Sequence, residues 1–240
     1  MTLIKKLYLL IAIYFLIIAN TYSHEFSSSP IILEGYIIPA EILKIVNQEY
    51  ENLSIINYQG IKYLAATTGH EINKCSVLFE IKGRSINPNP TIGLKEQICN
   101  ISIHDDKIVS SWRDSGKWND DVYKVNSNGK WELLFRDSCI GCNQVKRTYF
   151  ANGKITDSVL MTTGDDFSER NNLVGQVTVD KTRLFKTDSI DTRLKSYLIK
   201  GDVFTLIDMS NNGDFYKIRY KTASGKNIIS WIKSDDFSFQ

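Results

Sequence analysis

Two cysteines three positions apart, in the run FRDSCIGCNQVKRTYF at 135–150, are the side chains of this chain whose spacing by itself points to chemistry. A CxxC pair serves as a redox couple, as half of a zinc site, or as a staple across a turn. A redox couple needs a thiolate stabilised at a helix N-terminus or by nearby cations. Lys146 and Arg147 could lower a thiol pKa, but NQVKRTYF after Cys142 reads as a strand and lacks the βαβ setting of such motifs. A structural zinc would need Cys75 and Cys99 as the second half of the site. Those two stand 24 positions apart, whereas zinc knuckles pair close cysteines. The staple reading is therefore preferred, and Cys75, Cys99, Cys139 and Cys142 permit three connectivities. If GRSINPNPTIGL folds back, CSVLFEIK and EQICNISI face each other and bring Cys75 close to Cys99. That bond would close a loop stabilising the fold by roughly 3 to 4 kcal/mol in the chain-entropy model. Cys139 with Cys142 closes almost no loop and would fix the shape of a turn, leaving a rigid tip on which a partner can dock.

Other catalytic constellations are sparse. A cysteine peptidase needs its nucleophile opening a helix and a histidine as base, but Cys75 opens a strand-like run. The histidines are His24, His70 and His104, and none sits in a motif. GHEIN at 69–73 lacks the second histidine of HExxH, and no GxSxG is present. Three adjacent acid pairs, Asp105-Asp106, Asp120-Asp121 and Asp165-Asp166, keep glycoside hydrolysis open, and with it a peptidoglycan-hydrolysing enzyme as the alternative function. That chemistry needs two carboxyl groups roughly 5 to 9.5 Å apart, which depends on the fold. The sequence implies no cofactor and no metal site.

Binding is better represented than catalysis. SWRDSGKWNDDVY at 111–123 gathers Trp112, Arg113, Trp118 and Tyr123, the residue types that dominate interface hot spots, in one strand-turn-strand unit. The competing reading makes one tryptophan core and the other a cap on the sheet. Near the C-terminus Phe215, Tyr216, Tyr220 and Trp231 could line a groove, and Tyr216 and Trp231 are expected to be the exposed ones.

The N-terminus sets the compartment. MTLIKKLYLLIAIYFLIIANTYS has basic Lys5 and Lys6, an apolar run from Leu7 to Ala19, and small residues at Thr21 and Ser23, the three-part pattern of a secretory signal cut after Ser23. The run is shorter than the ~20 residues a spanning helix needs, so no integral membrane span is expected after cleavage. The protein is thus expected to be periplasmic or secreted, where disulfides persist. Without residues 1–23 the chain carries 27 basic and 27 acidic side chains, and nothing argues for nucleic acid. Residues 24–169 carry 15 Lys/Arg against 19 Asp/Glu, and 170–240 carry 12 against 8, so the C-terminal part suits an anionic partner such as a cell-wall polymer.

These residues must be positioned mostly by strands. IILEGYII reads as an apolar strand and PAEILKIVNQEYENL as the one long helix, with Pro39 in its first turn and Ile42, Leu43, Ile45, Val46 and Tyr50 mostly on one face. Strand-like runs follow at 61–68, 75–82, 96–103, 107–112, 121–125, 131–137, 144–150 and 154–162. Asn128-Gly129 and Asn152-Gly153 mark hairpins, because both residue types tolerate positive φ. The polar segment TTGDDFSERNN has no apolar periodicity and divides the chain: signal 1–23, domain 24–162, linker 163–172, domain 173–240. In the last domain GQVTVD, TRLFKT, KSYLIKGDVFTLIDM, DFYKIRYKT and NIISWIKSDDF read as five strands of a small barrel.

Leu198, Lys200, Gly201, Asp202, Phe215, Tyr216, Lys217, Ile218, Gly225, Trp231 and Ile232 follow the pattern of a bacterial SH3-like domain. The last seventy residues or so resemble that family, which implies a small β-barrel binding peptidoglycan or protein. The Leu-x-Val-Arg-x-Gly-Pro stretch of its wall-targeting members is replaced by TRLFKTDSIDTR. Ile38, Pro39, Ile42, Tyr50, Leu53, Ile55, Ile56, Asp121, Val122, Tyr123, Gly129, Trp131, Glu132 and Leu133 are similar to a pattern in small periplasmic proteins that include inhibitors of lysozyme-like toxins. Their Asp-rich calcium loop is replaced by NYQGIKY, so no calcium is implied. The expected fold is mostly β, a helix plus antiparallel meander followed by an SH3-like barrel. The expected function is an exported envelope binding protein, rather than an enzyme, that recognises or inhibits a protein partner such as a wall-degrading enzyme or toxin.

Overall fold

The structure is a computed structural model that describes residues 30–69, 72–94 and 98–240. The expected signal sequence, His24 and His70 lie outside the described residues. The chain divides into two compact units, one ending at Ile38 and the other spanning 39–240. In the first, β1 (Ile32–Leu33) and β2 (Tyr36–Ile37) form a hairpin. IILEGYII is thus a hairpin and not one strand, because Glu34 and Gly35 both take positive φ (49° and 83°), the geometry of a two-residue turn.

The second unit opens with α1 (Ala40–Glu49). Pro39 stands at the N-cap and its carbonyl accepts from the Ile42 and Leu43 N–H groups. The apolar face buries Ile42 and Val46. The helix stops at Tyr50, and residues 52–53, which its spacing could have continued through, begin β3 instead. The first sheet runs β3 (Asn52–Tyr58), β4 (Ile61–Thr67), β5 (Cys75–Lys82), β6 (Ser85–Ile86), with β7 (Ile98–Cys99) also paired to β5. EQICNISI is broken after β7, where Asn100 turns at φ 44° into β8 (Ile101–His104).

The second sheet is a six-stranded meander: β8, β9 (Lys107–Asp114), β10 (Lys117–Val125), β11 (Trp131–Ile140), β12 (Val145–Ala151) and β13 (Lys154–Met161), all antiparallel neighbours in chain order. Asn152 and Gly153, at φ 52° and 71°, make the two-residue turn their dipeptide predicts. Between β10 and β11 only Gly129 of Asn128-Gly129 takes positive φ, and Asn126 ties that loop through its side chain to Asn128 and Lys130. The two sheets share a core of Tyr63, Ala65, Leu78 and Ile98 with Ile108, Tyr123, Val125 and Trp131. Tyr58, Tyr63 and Tyr123 pack around the Trp131 ring at 5.9, 6.1 and 5.8 Å between centroids, and the Trp131 indole donates to the Tyr63 hydroxyl at 3.2 Å. Such aromatic pairs add about 0.5–1.5 kcal/mol each beyond the area they bury.

Both cysteine pairs form disulfides, Cys75 with Cys99 and Cys139 with Cys142. Cys75 and Cys99 are directly opposite in the β5/β7 ladder, so the first bond locks the point where one sheet passes into the next.

The third sheet comprises β14 (Val174–Val177), β15 (Lys181–Phe185), β16 (Arg193–Ile199), β17 (Val203–Met209), β18 (Phe215–Lys221), β19 (Asn227–Lys233) and β20 (Phe237–Phe239). It is antiparallel, ordered β16-β15-β19-β18-β17-β14-β20, and curled into a half-barrel. KSYLIKGDVFTLIDM supplies two of these strands, because Gly201 turns the chain at φ 92°. Leu198, Phe204, Leu206, Ile218, Ile232 and Phe237 fill its concave side, and Leu160 from β13 completes that core. Lys146 pairs with Asp208 at 2.8 Å, Arg219 pairs with Asp157, and Gln144 donates to the Tyr216 hydroxyl at 3.0 Å, so meander and half-barrel are tied by side chains as well as by chain.

Residues 163–172, polar in sequence, form a strap fastened to the meander. Arg170 is fully buried, and its guanidinium donates to Asp137 at 2.6 Å, to Asp120 at 3.2 Å, and to the carbonyls of Gly164 and Asp165. The strap thus carries one end of a buried ion network. Among the described residues no helix is long and apolar enough to cross a membrane.

Candidate functional site

The β9–β10 hairpin organises two recesses. Trp112 is opposite Asn119 in the ladder and Trp118 is opposite Arg113. Side chains alternate between the faces of a strand, so the register sends the two tryptophans to opposite sides of the sheet. Trp112, Asp121 and Tyr123 share one face, and Ser111, Arg113, Trp118 and Asp120 share the other.

On the first face lies an open groove of about 1160 Å³, walled by Trp112, Tyr123, Trp131, Leu133 and the 90–93 loop, and closed at one end by the β12–β13 tip, Phe150 to Gly153. The groove exists because the β11–β12 ladder ends at Phe135 opposite Tyr149. Residues 131–133 of β11 keep a ladder partner on the β10 side alone, Leu134 falls at a bulge, and the β11–β12 pairing does not extend to any of them. The floor is polar. Arg136 grips the buried Asp121 carboxylate with two hydrogen bonds, at 2.5 and 2.7 Å, and its guanidinium lies 5.1 Å over the Trp112 ring. The Trp112 indole N–H is buried and has no hydrogen-bond partner among the described residues. Gly93 at the rim takes φ 105°, and a Cβ there would stand 2.7 Å from the Ser76 carbonyl oxygen, so only glycine lets the loop approach this closely.

On the second face a cleft of about 270 Å³ lies between the strap and strands β8 to β11, lined by His104, Ser111, Trp118, Asp120, Ile140, Asp165, Asp166 and Phe167 among others. His104 Nδ1 lies 2.8 Å from the Asp166 carboxylate. Ser111 Oγ donates to Asp120 at 2.8 Å. Hydrogen bonds from Ser168 hold the Asp166 carboxyl below the ordinary carboxylate range, assisted by the charges of His104 and Arg170. Beneath the cleft Asp137, fully buried, accepts two bonds from Arg147 at 2.7 Å besides the one from Arg170. Burial works to lower the Arg147 pKa, but Asp137 and Tyr149 outweigh it and the net shift is upward.

The residues singled out in the sequence fall as follows. Trp112 and Tyr123 meet at the groove, although Tyr123 is 3% exposed and serves mainly as core, a correction to its reading as surface. Trp118 lines the cleft, half-buried, and Arg113 is exposed beside it. Tyr216, expected to be exposed, is buried: even-numbered residues of β18 face the concave side, where its ring packs on Phe237 and Phe239. Trp231 is half-buried, opposite Lys217 on the convex side of the half-barrel. Phe215 is buried against Phe185, and Tyr220 is half-buried with its hydroxyl bonded to Asp202. Leu133, Arg136 and Phe150 were missed because their signal is the early end of a ladder, which no local pattern announces. No protein-family model, curated protein or solved structure matches this chain.

Proposed function

We propose that the protein is an exported envelope binding protein whose groove beside β11 receives a segment of a protein partner such as a wall-degrading enzyme or toxin. The half-barrel, read as SH3-like, holds it at the wall. The observation that carries this reading is the groove. A half-strand with one free backbone edge, flanked by Trp112, Leu133 and Phe150, suits an extended peptide that adds a strand and seats alternate side chains. The Trp112 ring adds an aromatic wall against which a partner side chain can pack. The resemblance to lysozyme-inhibitor proteins supports the choice of partner, and the disulfides are compatible with an oxidising compartment.

Peptidoglycan hydrolysis is the second reading, favoured by the cleft that gathers Asp120, Asp165 and Asp166 beside Trp118. Its electrostatics argue against it. A general acid needs a raised pKa, whereas Asp166 is held low and Asp120 is committed to Ser111 and Arg170. Two assays on residues 24–240 separate the readings. The binder slows wall clearing by purified muramidases and clears no wall-containing gel alone, and Leu133→Lys with Trp112→Ala abolishes the inhibition. Clearing by the protein alone, lost in Asp120→Asn, overturns the binder reading.

A further inference from the structure

Half of the twelve basic side chains of 170–240 lie on or beside one strand pair, with exposed Asp180, Asp188 and Asp191 in the adjoining turns. Arg170 is buried in the strap network and Arg219 is paired with Asp157, but Lys181, Arg183, Lys186, Arg193, Lys195 and Lys200 are all exposed, and none makes an ion pair among the described residues. All six lie on or beside β15 and β16. The strands themselves, KTRLF and RLKSYLI, contain four cations and no acid. β16 ends its sheet and pairs with β15 alone.

Register gathers three of these cations on one face. Lys181 is opposite Ile199 and Arg183 is opposite Tyr197, so Lys181, Arg183, Lys195, Tyr197 and Ile199 point the same way. Tyr197 is 48% exposed, with the Lys181 ammonium 3.8 Å from its ring centroid. On the same sheet the half-buried Trp231 stands opposite Lys217. Lys181 and Arg183 are spaced by about 7 Å along their strand, Lys195 is a diagonal neighbour of Arg183 on the next, and the Tyr197 ring stands among them.

We propose that this face of β15 and β16 binds a linear anionic polysaccharide. Regularly spaced cations match a polymer with one negative group per one or two sugars, and Tyr197 offers a flat apolar surface to the C–H face of a ring. The face is an open strand pair at the end of its sheet, which suits an extended polymer running along it better than a folded protein that would seat in a recess. The inference rests on the wall-binding half of the proposed function, and it names the partner class and the residues. Neighbouring cations along this strand pair stand within about a Debye length of each other and raise the local anion concentration, and the attraction must weaken as salt rises.

The test uses residues 24–240 and three probes of matched length: fluorescein-labelled dextran sulfate, neutral dextran and oligo-dT. Dextran sulfate is expected to bind with an affinity that falls at least tenfold between 50 and 300 mM NaCl, while neutral dextran does not bind. Arg183→Glu with Lys195→Glu should weaken binding at least tenfold. Lys44→Glu with Lys154→Glu changes net charge equally at exposed sites elsewhere and should weaken it less than twofold. Tyr197→Ala should cost several-fold and leave the salt dependence in place. Equal losses in both double variants, failure to bind dextran sulfate, or tighter binding of oligo-dT would each overturn the proposal. Co-sedimentation with sacculi is run in parallel: if Arg183→Glu with Lys195→Glu still pellets like the native chain, wall binding stands and this surface is not its cause.

Discussion

Asp137→Asn tests the buried ion network that joins strap to meander. Asp137 is 0% exposed and takes three charge-assisted hydrogen bonds from two guanidinium groups, of which Arg170 is fully buried and Arg147 nearly so. The amide keeps size and shape but removes the charge and turns one acceptor into a donor facing a guanidinium. Removing one partner from a buried pair costs about 3–5 kcal/mol, mostly because the other charge is left uncompensated. Arg170 retains Asp120 at 3.2 Å and two carbonyls, which places the expected loss near the lower bound, about 3 kcal/mol. At about 2–4 °C per kcal/mol for a chain of this size, Tm should fall by roughly 6–12 °C. Urea unfolding followed by tryptophan fluorescence gives the free energy, and limited proteolysis with a Glu-specific protease reads the strap at Glu169. The expected result is a loss near 3 kcal/mol with cleavage at Glu169 at least tenfold faster. A loss below 1 kcal/mol with unchanged cleavage would refute the claim that this network holds the strap.

Three further outcomes follow from the same structure. Cys75→Ser with Cys99→Ser should cost about 3 kcal/mol in urea unfolding, because the bond closes a loop across 24 positions, while Cys139→Ser with Cys142→Ser should cost clearly less. Leu160→Ala removes a 4%-exposed side chain from the half-barrel core and should cost about 2–5 kcal/mol; the companion expectation is that residues 173–240 alone melt well below the full chain. Acid should loosen the strap: the Asp166 carboxyl is depressed below its ordinary 3.8, so its contribution is present above that value and is lost as pH falls through the lower folded value. Hydrogen exchange at 163–172 should therefore rise, beyond the ordinary chemical trend with pH, only below about pH 4, and Asp166→Asn should remove that step.

Much of the architecture is local and was legible in the residues. Alternating apolar runs placed most strands of the meander, Asn152-Gly153 placed a hairpin, and PAEILKIV placed the helix, because each signal is carried by a few neighbouring side chains. The facing of Cys75 and Cys99 also followed, once two flanking strands were read with a returning loop between them. The turn inside IILEGYII was less visible, since apolar composition does not separate one strand from two short ones.

What the tertiary structure alone decided concerns partners far apart in the chain. Trp112 and Trp118 are six residues apart, yet the β9–β10 register sends them to opposite faces, so a single hot spot becomes a groove and a cleft. Tyr216 looked exposed by type and is buried because inward and outward positions of β18 are set by the curl of a seven-stranded sheet. The segment 163–172 reads as a linker because it is polar and has no apolar periodicity; the partner of its Arg170, Asp137, is 33 positions away, and nothing near either residue announces the pairing. The amino-acid order by itself determined where most of the chain extends and where several of its turns fall, since those preferences are short-range. Which faces meet, and therefore which side chains form the groove, the strap and the basic strand edge, was decided by long-range pairing that only the folded chain brings about.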